Sequence, residues 1–485
     1  MKTKDATDLL RLKEATQILQ KDPQNAEANL CVDDYILNNC YVEDALSCLA
    51  GKAMTQGLYK TAIYFSEQAL LAHFTYAKSH KLTKKERAGY NSFVAQTYAC
   101  LGSLYLKILD ISTAKKRILE GLKYAKTTDL LNTYAACFQS DAQEEKYLAM
   151  AKENYEKDSS SMYAVHHLSH AYLEVGDYEN GFKDYWAREQ RDDSRIKEFH
   201  IDRSLHWDGS KGKVLLIYGE QGIGDEIMFA SCIEDAIRDS KHTIFVANPR
   251  LADIFRNSFS PDGISIYGTS CMNKHFWFHH HEVDAVVGVG CLPTFYRKSE
   301  KDFPKKIYLK AQDKYIDWVK DNILSRYKDP KPLIGFSWKG GSGNNNVKER
   351  YIPLEYFSPL FEQDAHFISL QYNKDSRAEL DRLPKKYRDK IFHSQYIMDD
   401  YDLTAALVHH LDCIFSSPQS VVHLAGAMGK KIYQLAPKKH MWQMGVYGSD
   451  MPWYSNSTNI WQDKVDDWGQ VMAAAGNVLE GILNG

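Results

Sequence analysis

The pattern of apolar residues changes once along this chain, near Arg195, and this change limits the possible folds more than any other feature. Before it, apolar positions recur at spacings of three and four, with few glycines and few β-branched runs, which indicates amphipathic helices. After it, short apolar runs alternate with helical stretches. Buried strands that alternate with helices form a parallel sheet covered on both faces. The sequence therefore predicts an α region followed by an α/β region.

The helical region repeats with a period of about 34 residues, which is the length of a tetratricopeptide repeat. Its large, small and aromatic positions fall, in the last three units, at Leu168, Ser169, Tyr172, Gly176, Tyr178, Gly181 and Tyr185, at Tyr134, Ala135, Phe138, Tyr147 and Ala151, and at Leu101, Gly102, Tyr105, Ala114, Ile118 and Gly121. A fourth unit passes through Leu49, Ala50, Ala53, Tyr59, Ala62 and Ala69, before an insertion at residues 80–86. The pattern predicts a stacked array with a concave face for a partner. The alternative is a generic helical bundle with accidental periodicity.

The α/β region contains seven predicted strands and a polar, proline-bearing linker. The strands are expected at residues 213–218, 242–247, 283–287, 333–338, 366–370, 413–416 and 431–435, and helices at residues 225–238 and 403–410. The linker at residues 328–332 divides the region into two Rossmann-like domains with a cleft between them. The predicted domains are residues 1–195, 196–328 and 329–485.

Composition excludes several classes of protein. The 60 lysines and arginines nearly balance the 63 aspartates and glutamates, so no overall charge attracts nucleic acid or an anionic membrane. The amino terminus lacks a signal-peptide pattern, and no apolar run reaches the roughly 18 residues of a membrane-spanning helix. Nine scattered cysteines without zinc-ligand spacing indicate reduced thiols. We expect a cytoplasmic protein without a transmembrane segment or a nucleic-acid partner.

The segment from Leu215 to Phe229, LLIYGEQGIGDEIMF, is the most informative motif. A strand runs into a glycine-rich turn containing Gly222 and Gly224, and Asp225 follows at the opening of a helix. Glycines allow a ligand close to the backbone at a strand end, where α/β folds bind ligands. The segment lacks the Gly-Lys-Ser/Thr of a phosphate loop and the third glycine of a dinucleotide fingerprint. Asp225 therefore faces the cleft, or it only caps the helix.

Six ordered blocks resemble one family. They are the glycine turn, preceded by GDYENGFKDYWARE at 176–189 and HWDG at 206–209, and then IGFSWKGG at 334–341, RYIPLEYF at 350–357, FISLQY at 367–372, SVVHLAGAMGK at 420–430 and MPWY at 451–454. Together they resemble bacterial proteins that fuse tetratricopeptide repeats to a GT-B glycosyltransferase domain similar to the lipopolysaccharide (ADP-heptose) heptosyltransferases. The resemblance covers the chain from about residue 160 to its end. It implies α + α/β architecture, with helical repeats followed by two Rossmann-like domains.

The resemblance also implies roles for individual residues. Asp225 matches the general base that takes the proton of the acceptor hydroxyl, and Arg350 matches the cation that steadies the donor diphosphate. The remaining implied donor-binding residues are Lys339, Lys348, Gln371, Gln419, Ser420 and His423, the last beside the phosphates, and Gly222 and Gly224 line the cleft. Such a site needs no metal and no cofactor, because cations and helix amides carry the leaving-group charge.

The implied reaction transfers a sugar, with inversion, from a nucleotide-diphosphate donor to an acceptor hydroxyl. The repeats would present a protein acceptor, such as a surface or flagellar subunit, or an oligosaccharide. One position departs from the family: Pro418 stands where the heptosyltransferases carry an acidic sugar contact. The resemblance therefore does not extend to heptose as the donor sugar. The alternative function is a non-catalytic repeat scaffold that keeps the GT-B fold.

Four other features have a structural explanation beside a functional one. Asp400 to Asp402 spell the metal-binding pattern D-x-D, but they directly precede an apolar helix and are better explained as its cap. The histidines at 275 and 279–281 are a poor metal site, since consecutive side chains point apart. The segment GGSGNNN at 340–346 is expected to flank the cleft as a loop, with phosphate contact left open. Trp442 and Trp453 are core anchors or stacking platforms.

Overall fold

A computed structural model describes residues 42–190, 203–269, 282–341, 348–439 and 441–484, and single helical residues at positions 14, 15, 18, 27, 28 and 31. The chain forms two compact units, and the boundary between them in the sequence lies between Asn154 and Tyr155. The second unit contains the last helical pair of the repeat region together with both α/β halves. The predicted domain boundary at residue 195 follows the change in composition, whereas compactness groups residues 155–190 with the α/β region.

The first unit is built from helices joined by short turns. The helices from Val42 onward are α1 (Val42–Thr55), α2 (Tyr59–Ser79), α3 (Lys84–Lys107), α4 (Ile111–Gly121), α5 (Thr128–Ser140) and α6 (Glu144–Lys157), which crosses into the second unit. Side-chain caps fix several starts: Thr83 forms a capping box with Glu86 before α3, and Asp110 accepts the N–H of Thr113 before α4. The turn between α2 and α3 lies at the predicted insertion.

Small residues bring paired helices together, as the repeat pattern predicts. A Cβ on Gly102 would lie 2.6 Å from a side-chain carbon of Ile118, and one on Gly121 would lie 2.7 Å from Cβ of Tyr98. Contacts this short leave no room for a methyl group, so α3 and α4 pack at a distance that only glycine allows. The predicted helical repeat region is confirmed.

The second unit opens with α7 (Met162–Glu174), α8 (Tyr178–Lys183) and a 3₁₀ helix at Tyr185–Gln190. A parallel sheet follows, in the strand order β3-β2-β1-β4. Its strands are β1 (Val214–Tyr218), β2 (His242–Ala247), β3 (Ile264–Gly268) and β4 (Ala285–Gly288). Its helices are α9 (Ile223–Phe229), α10 (Ile233–Asp239), α11 (Ala252–Ser258), α12 (Pro293–Tyr296) and α13 (Asp313–Asn322). Strands β1 and β4 meet at the point where the strand order reverses.

The second sheet is also parallel and has the order β10-β9-β8-β5-β6-β7. Its strands are β5 (Leu333–Ser337), β6 (His366–Ser369), β7 (Ile391–Phe392), β8 (Cys413–Ser416), β9 (Lys431–Ala436) and β10 (Ser457–Trp461). Its helices are α14 (Ser358–Phe361), α15 (Ser376–Leu380), α16 (Lys385–Arg388), α17 (Gln395–Asp399), α18 (Tyr401–His409), α19 (Ser420–Ala427) and α20 (Gly469–Asn484). Here the order reverses between β5 and β8.

The α/β prediction is confirmed, with two kinds of difference. Strands β3, β7 and β10 were not predicted, because polar residues interrupt the first and last and the middle one is only two residues long. The helix predicted at residues 225–238 is two helices separated by a 3₁₀ turn at Ala230–Cys232. Within that turn, the carbonyl of Ser231 accepts a hydrogen bond from Arg297 at 2.8 Å, a tertiary contact that periodicity cannot reveal.

One apolar core runs through the second unit. It joins Tyr178, Phe182 and Tyr185 of the last helical pair to residues under both sheets. Trp442 and Trp453 are each 2% exposed within it, so both are core anchors. None of the helices in the described ranges has the length and the apolar character that a bilayer crossing requires.

Candidate functional site

The crevice at the reversal point of the first sheet is filled by the protein itself. Arg188, from the 3₁₀ helix after α8, inserts at the carboxyl ends of β1 and β4 and pairs with the buried carboxylate of Glu220. Its guanidinium also donates to the carbonyl of Tyr185 at 2.6 Å and to the sulfur of Cys291 at 3.4 Å. Glu220 in turn accepts the backbone N–H of Gly290 at 3.0 Å. A ligand of this sheet must therefore lie beyond this ion pair.

Among the described residues, one group of three potential metal ligands occurs, and it lies in this crevice. The ligand atoms of Glu189, Glu220 and Cys291 are all within 4.8 Å of one another. The guanidinium of Arg188 lies among them, because it contacts both carboxylates and the sulfur. A cation already neutralises the acidic pair, so the group is suited to hold Arg188 and not a metal ion.

Asp225 lies at the third position of α9, directly after the glycine turn. Gly222 is the cap residue of the helix and has an extended backbone, with φ −71° and ψ 160°. The Asp225 carboxylate accepts hydrogen bonds from the backbone of Gly222 and from the side chain of Gln443. Asp225 thus does stabilise the start of α9, as the alternative interpretation expects, but it also faces a residue of the second α/β half.

The charge of Asp225 is set by burial and by two arginines. Burial raises the pKa of the carboxyl above its ordinary value, and the hydrogen bonds from Gln443 and Gly222 and the charges of Arg350 and Arg188 only partly offset this effect. The same burial lowers the pKa of Arg350, with Glu349, Tyr372 and Asp225 acting in the opposite direction. A carboxylate and a guanidinium from opposite halves therefore share one partly buried site.

The glycine turn also contacts helix α19 of the second half. A Cβ on Gly224 would lie 3.1 Å from Cα of Ser420 and 3.2 Å from Cδ2 of His423. Gly224 is therefore required for this close approach between α9 and α19. The structure brings together Gly222, Gly224, Asp225, Arg350, Ser420 and His423, all predicted as site residues.

His423 lies beside Tyr454, and its Nδ1 is 3.1 Å from Oη of that tyrosine. The hydroxyl of Tyr308 donates to the carbonyl of Ile227 in α9 at 2.9 Å. Burial lowers the pKa of His423 to about 4, so its imidazole is neutral at pH 7.

The reversal point of the second sheet is lined by neutral polar groups. The hydroxyls of Ser337 and Ser416 lie 2.6 Å apart at the ends of β5 and β8, and the Gln419 amide donates to Ser337. Ser417 follows β8 and is fully buried. The carboxyl ends of parallel strands at a reversal point are where open α/β sheets bind ligands. Gln419 thus lies in the expected donor region.

Gln371 and Lys339 lie beside this point but are engaged in the protein. The Gln371 Oε1 accepts the backbone N–H of Trp338 at 3.0 Å and that of Lys339 at 3.1 Å. Nζ of Lys339 lies 2.7 Å from Asp375 and 2.8 Å from Glu379. In this structure Gln371 fixes the loop after β5, and the Lys339 charge is balanced by two carboxylates. Their contact with a donor stays a prediction.

The other predicted features are placed as follows. Lys348 begins the 3₁₀ turn that contains Arg350, while its side chain lies outside the described residues. The histidines at 275 and 279–281, and residues 342–346 of the glycine-rich segment, also lie outside them. Asp400 caps α18 and accepts the N–H groups of Asp402 at 2.9 Å and Leu403 at 3.1 Å, which confirms the capping interpretation of D-x-D.

Sequence reasoning missed several residues of the site. Gln443 reaches Asp225, and Tyr454 reaches His423, only through the folding of distant segments. Arg188 and Glu220 belong to two of the blocks that carried the family resemblance, yet nothing in their spacing indicates an ion pair across 32 positions. The one available signal was the presence of these residues inside the recognised blocks.

No protein-family model matches the chain. Protein FlbA of Caulobacter vibrioides is 24% identical over 322 residues, which cover 63% of this chain and 53% of FlbA, so the match spans about half of that curated relative. The ADP-heptose lipopolysaccharide heptosyltransferase II of E. coli has 12% identity and a TM-score of 0.41, over 56% of this chain and 98% of that one. A mutant O-GlcNAc transferase of Thermobaculum terrenum has 11% identity and a TM-score of 0.31, over 91% of both chains.

Proposed function

We propose that the protein is a glycosyltransferase that moves a sugar, with inversion, from a nucleotide-diphosphate donor to an acceptor hydroxyl. One observation carries this proposal: a partly buried carboxylate, Asp225, directly follows the glycine turn of the first α/β half and faces Arg350 of the second. A base and a cation on opposite sides of a cleft are what an alcohol nucleophile and a diphosphate leaving group require.

The proposed reaction is a single displacement. Asp225 takes the proton of the acceptor hydroxyl, and the acceptor oxygen bonds to the anomeric carbon from the face opposite the diphosphate. The bond between that carbon and the diphosphate oxygen breaks, and the electron pair leaves with the diphosphate. Arg350 and the N-terminal amides of α19 offset its charge. This scheme needs neither a metal nor a cofactor.

Burial prepares Asp225 for this role. A carboxyl whose pKa is raised by burial is a better base than an exposed one, because it binds the incoming proton more strongly. Gln443 and Gly222 hold the carboxylate in place by hydrogen bonds. A carboxylate held in this way is positioned to accept the proton in the transition state.

The acceptor and the donor sugar are proposed on separate grounds. The helical repeats are a surface for a partner, so we propose a protein acceptor, such as a surface or flagellar subunit, in the cytoplasm, with an oligosaccharide as the other possibility. The donor region carries Pro418, Gln419 and Ser420 in place of an acidic contact. Neutral hydroxyl and amide groups suit a sugar that is recognised through its own hydroxyls.

The experiment has two stages. A thermal-shift panel of nucleotide sugars first identifies the donor, since a ligand at 100 times its dissociation constant stabilises the fold by about 2.7 kcal/mol. Turnover of that donor is then measured in Asp225→Asn. We expect a loss of about 10²- to 10⁴-fold in turnover with donor affinity close to wild type, because the base acts on the acceptor.

Glu226→Gln is the matched control, since this neighbouring buried carboxylate accepts the N–H of Asn248 at 2.7 Å and has no part in the reaction. The variant Glu226→Gln should turn over the donor at the wild-type rate. Equal turnover in Asp225→Asn and wild type would reject Asp225 as the base. A chain that binds no nucleotide sugar would support the non-catalytic scaffold instead.

A further inference from the structure

Arg250 of the first α/β half contacts the second half. It lies in the turn between β2 and α11, and its side chain is exposed. Its Cζ is 5.0 Å from the centre of the Tyr401 ring, at the first position of α18. The hydroxyl of Tyr401 donates at 2.6 Å to that of Ser420, the first residue of α19. A cation of the first half therefore stands beside the start of α19.

The guanidinium of Arg250 has no carboxylate partner within the described ranges of the chain. Its contact there is the face of an aromatic ring, which attracts the charge but accepts none of its five N–H groups as an ordinary hydrogen bond. Arg256, in the helix that follows, differs, since it pairs with Asp253 at 2.5 Å and donates to the carbonyl of Ile266 at 3.1 Å. The donors of Arg250 are thus available to a ligand, whereas those of Arg256 are engaged.

Cations of the second half near this site are already balanced by carboxylates. Lys339 lies between two of them, and Lys439 pairs with Glu349 at 3.0 Å. Arg350 shares its surroundings with the carboxylate of Asp225. A diphosphate carries more than one negative charge, and it gains another when its bond to the sugar breaks. A cation whose charge is not yet offset stabilises such a group most effectively.

The proposed base and Arg250 approach Ser420 through different contacts. On one side is the glycine turn, where a Cβ on Gly224 would lie 3.1 Å from Cα of Ser420 and Asp225 is the next residue. On the other is Tyr401, whose hydroxyl bonds to the side chain of Ser420 while its ring carries Arg250. This arrangement allows the base to engage the acceptor while Arg250 engages the leaving group.

We infer that Arg250 binds the diphosphate of the donor, so that the first α/β half supplies a cation to the donor site of the second. The inference rests on the proposed function for the position of the diphosphate at the start of α19. One further observation supports it. Burial raises the pKa of Tyr372, and the charges of Arg350 and Arg250 are among those that oppose this effect. Both arginines therefore lie near the same tyrosine.

Inorganic pyrophosphate tests this contact without a sugar, a nucleobase or an acceptor. Calorimetry on the full chain compares its affinity for wild type, Arg250→Ala and Arg250→Lys. We expect Arg250→Ala to bind pyrophosphate about 10-fold more weakly, because charge-assisted hydrogen bonds are lost. Arg250→Lys should restore only part, since a point charge replaces a planar fork. Equal affinity in wild type and Arg250→Ala would overturn the inference, and so would a wild type that binds no pyrophosphate.

Arg256→Ala is the matched control, because it removes the same charge from the same part of the chain. It should bind pyrophosphate as wild type does. A similar loss in Arg256→Ala and Arg250→Ala would show an effect of net charge alone and overturn the inference. Without ligand, Arg250→Ala should melt close to wild type. A lower melting temperature with unchanged affinity would assign Arg250 a purely structural contact with Tyr401 and would also contradict the inference.

A second ligand series separates this inference from the proposed function. ADP, GDP and UDP should lose affinity in Arg250→Ala to the same extent as pyrophosphate. If pyrophosphate binding depends on Arg250 but no nucleotide sugar is turned over, the proposed function fails and the contact with the anion is supported. If a nucleotide sugar is turned over and Arg250→Ala raises only the KM of the acceptor, Arg250 recognises the acceptor, which overturns the inference and leaves the proposed function intact.

Discussion

The carboxyl ends of the two parallel sheets differ in chemistry. At the carboxyl ends of the first sheet, Glu220 follows β1 and pairs with Arg188, and Glu226 of α9 lies against Gly219; both carboxylates are buried. The second ends in Ser337 and Ser416, which are neutral and bonded to each other. Both reversal points obey the same topological rule for ligand binding. The two reversal points nevertheless differ in charge, since the first holds an ion pair and the second holds neutral hydroxyls.

The difference shows that two parallel sheets with similar topology can carry different chemical groups at their reversal points. In the first sheet, the end of the helical repeat region fills the crevice, and the proposed base Asp225 lies outside that crevice on α9. In the second sheet, hydroxyls and amides leave the crevice uncharged, and the cation Arg350 stands beside it. The last helical pair thus belongs structurally to the first α/β half. Four predictions test this comparison.

The largest effect is expected from removing that helical pair. A chain that begins at Glu198 loses Tyr178, Phe182 and Tyr185, each at most 4% exposed, together with Arg188. Each large buried side chain contributes about 3–5 kcal/mol, so the loss of the three is as large as the roughly 5–15 kcal/mol that stabilises a typical fold. We expect no cooperative urea transition, whereas a chain that begins at Ser160 should unfold cooperatively. A cooperative transition in both would show that the pair is dispensable.

The second prediction concerns the ion pair in the first crevice. Arg188→Ala leaves the carboxylate of Glu220 buried and unpaired, and should lower the free energy of unfolding by about 3–5 kcal/mol. Arg188→Met with Glu220→Gln should recover much of the loss, since the buried charge is gone and Gly290 keeps its acceptor. The control is Arg377→Ala, where an exposed pair with Asp381 contributes less than about 1 kcal/mol. Equal effects of Arg188→Ala and Arg377→Ala in urea titrations would contradict the prediction.

The third prediction is a pH dependence of stability from the same crevice. Burial raises the pKa of Glu226 to about 7, from an ordinary value of 4.5. The folded state prefers the neutral acid, so its contribution is full below pH 4.5 and is lost as the pH rises through 7. Glu226→Gln should match wild type near pH 4 and exceed its stability by on the order of 3 kcal/mol above pH 8. The exposed Glu234→Gln should show no such difference. If the difference in stability between Glu226→Gln and wild type did not change with pH, the titration of Glu226 would not be its cause.

The smallest effect is expected at the second sheet, in binding alone. If Arg350 neutralises the diphosphate, Arg350→Ala should weaken binding of the free nucleotide about 10- to 100-fold, and Arg350→Lys should restore only part, since a planar fork becomes a point charge. Lys439→Ala is the control, because this lysine pairs with the neighbouring Glu349 at 3.0 Å. Calorimetry measures the affinity of wild type, Arg350→Ala, Arg350→Lys and Lys439→Ala for the free nucleotide. Equal affinity in wild type and Arg350→Ala would move the donor site elsewhere.

The elements that are determined by short sequence segments could be predicted from the sequence. The strands β2 and β8 have the predicted bounds, because their apolar runs are unbroken and end at turns. Strands β3 and β10 escaped detection because half-buried positions carry polar residues. In the site, the glycine turn indicated Asp225 and Gly224, whereas Gln443 and Tyr454 come from segments more than 200 positions away.

The sequence by itself determined the order of a helical repeat region and two parallel sheets, since periodicity and glycine placement are properties of short segments. It also identified the cleft through the turn at Gly222 and Gly224. Only the tertiary structure decided that Arg188 closes one crevice, that Gln443 lies beside Asp225, and that Tyr454 lies beside His423. These facts depend on which distant side chains share a buried space. There, each proton and each charge needs a partner, because water no longer supplies one.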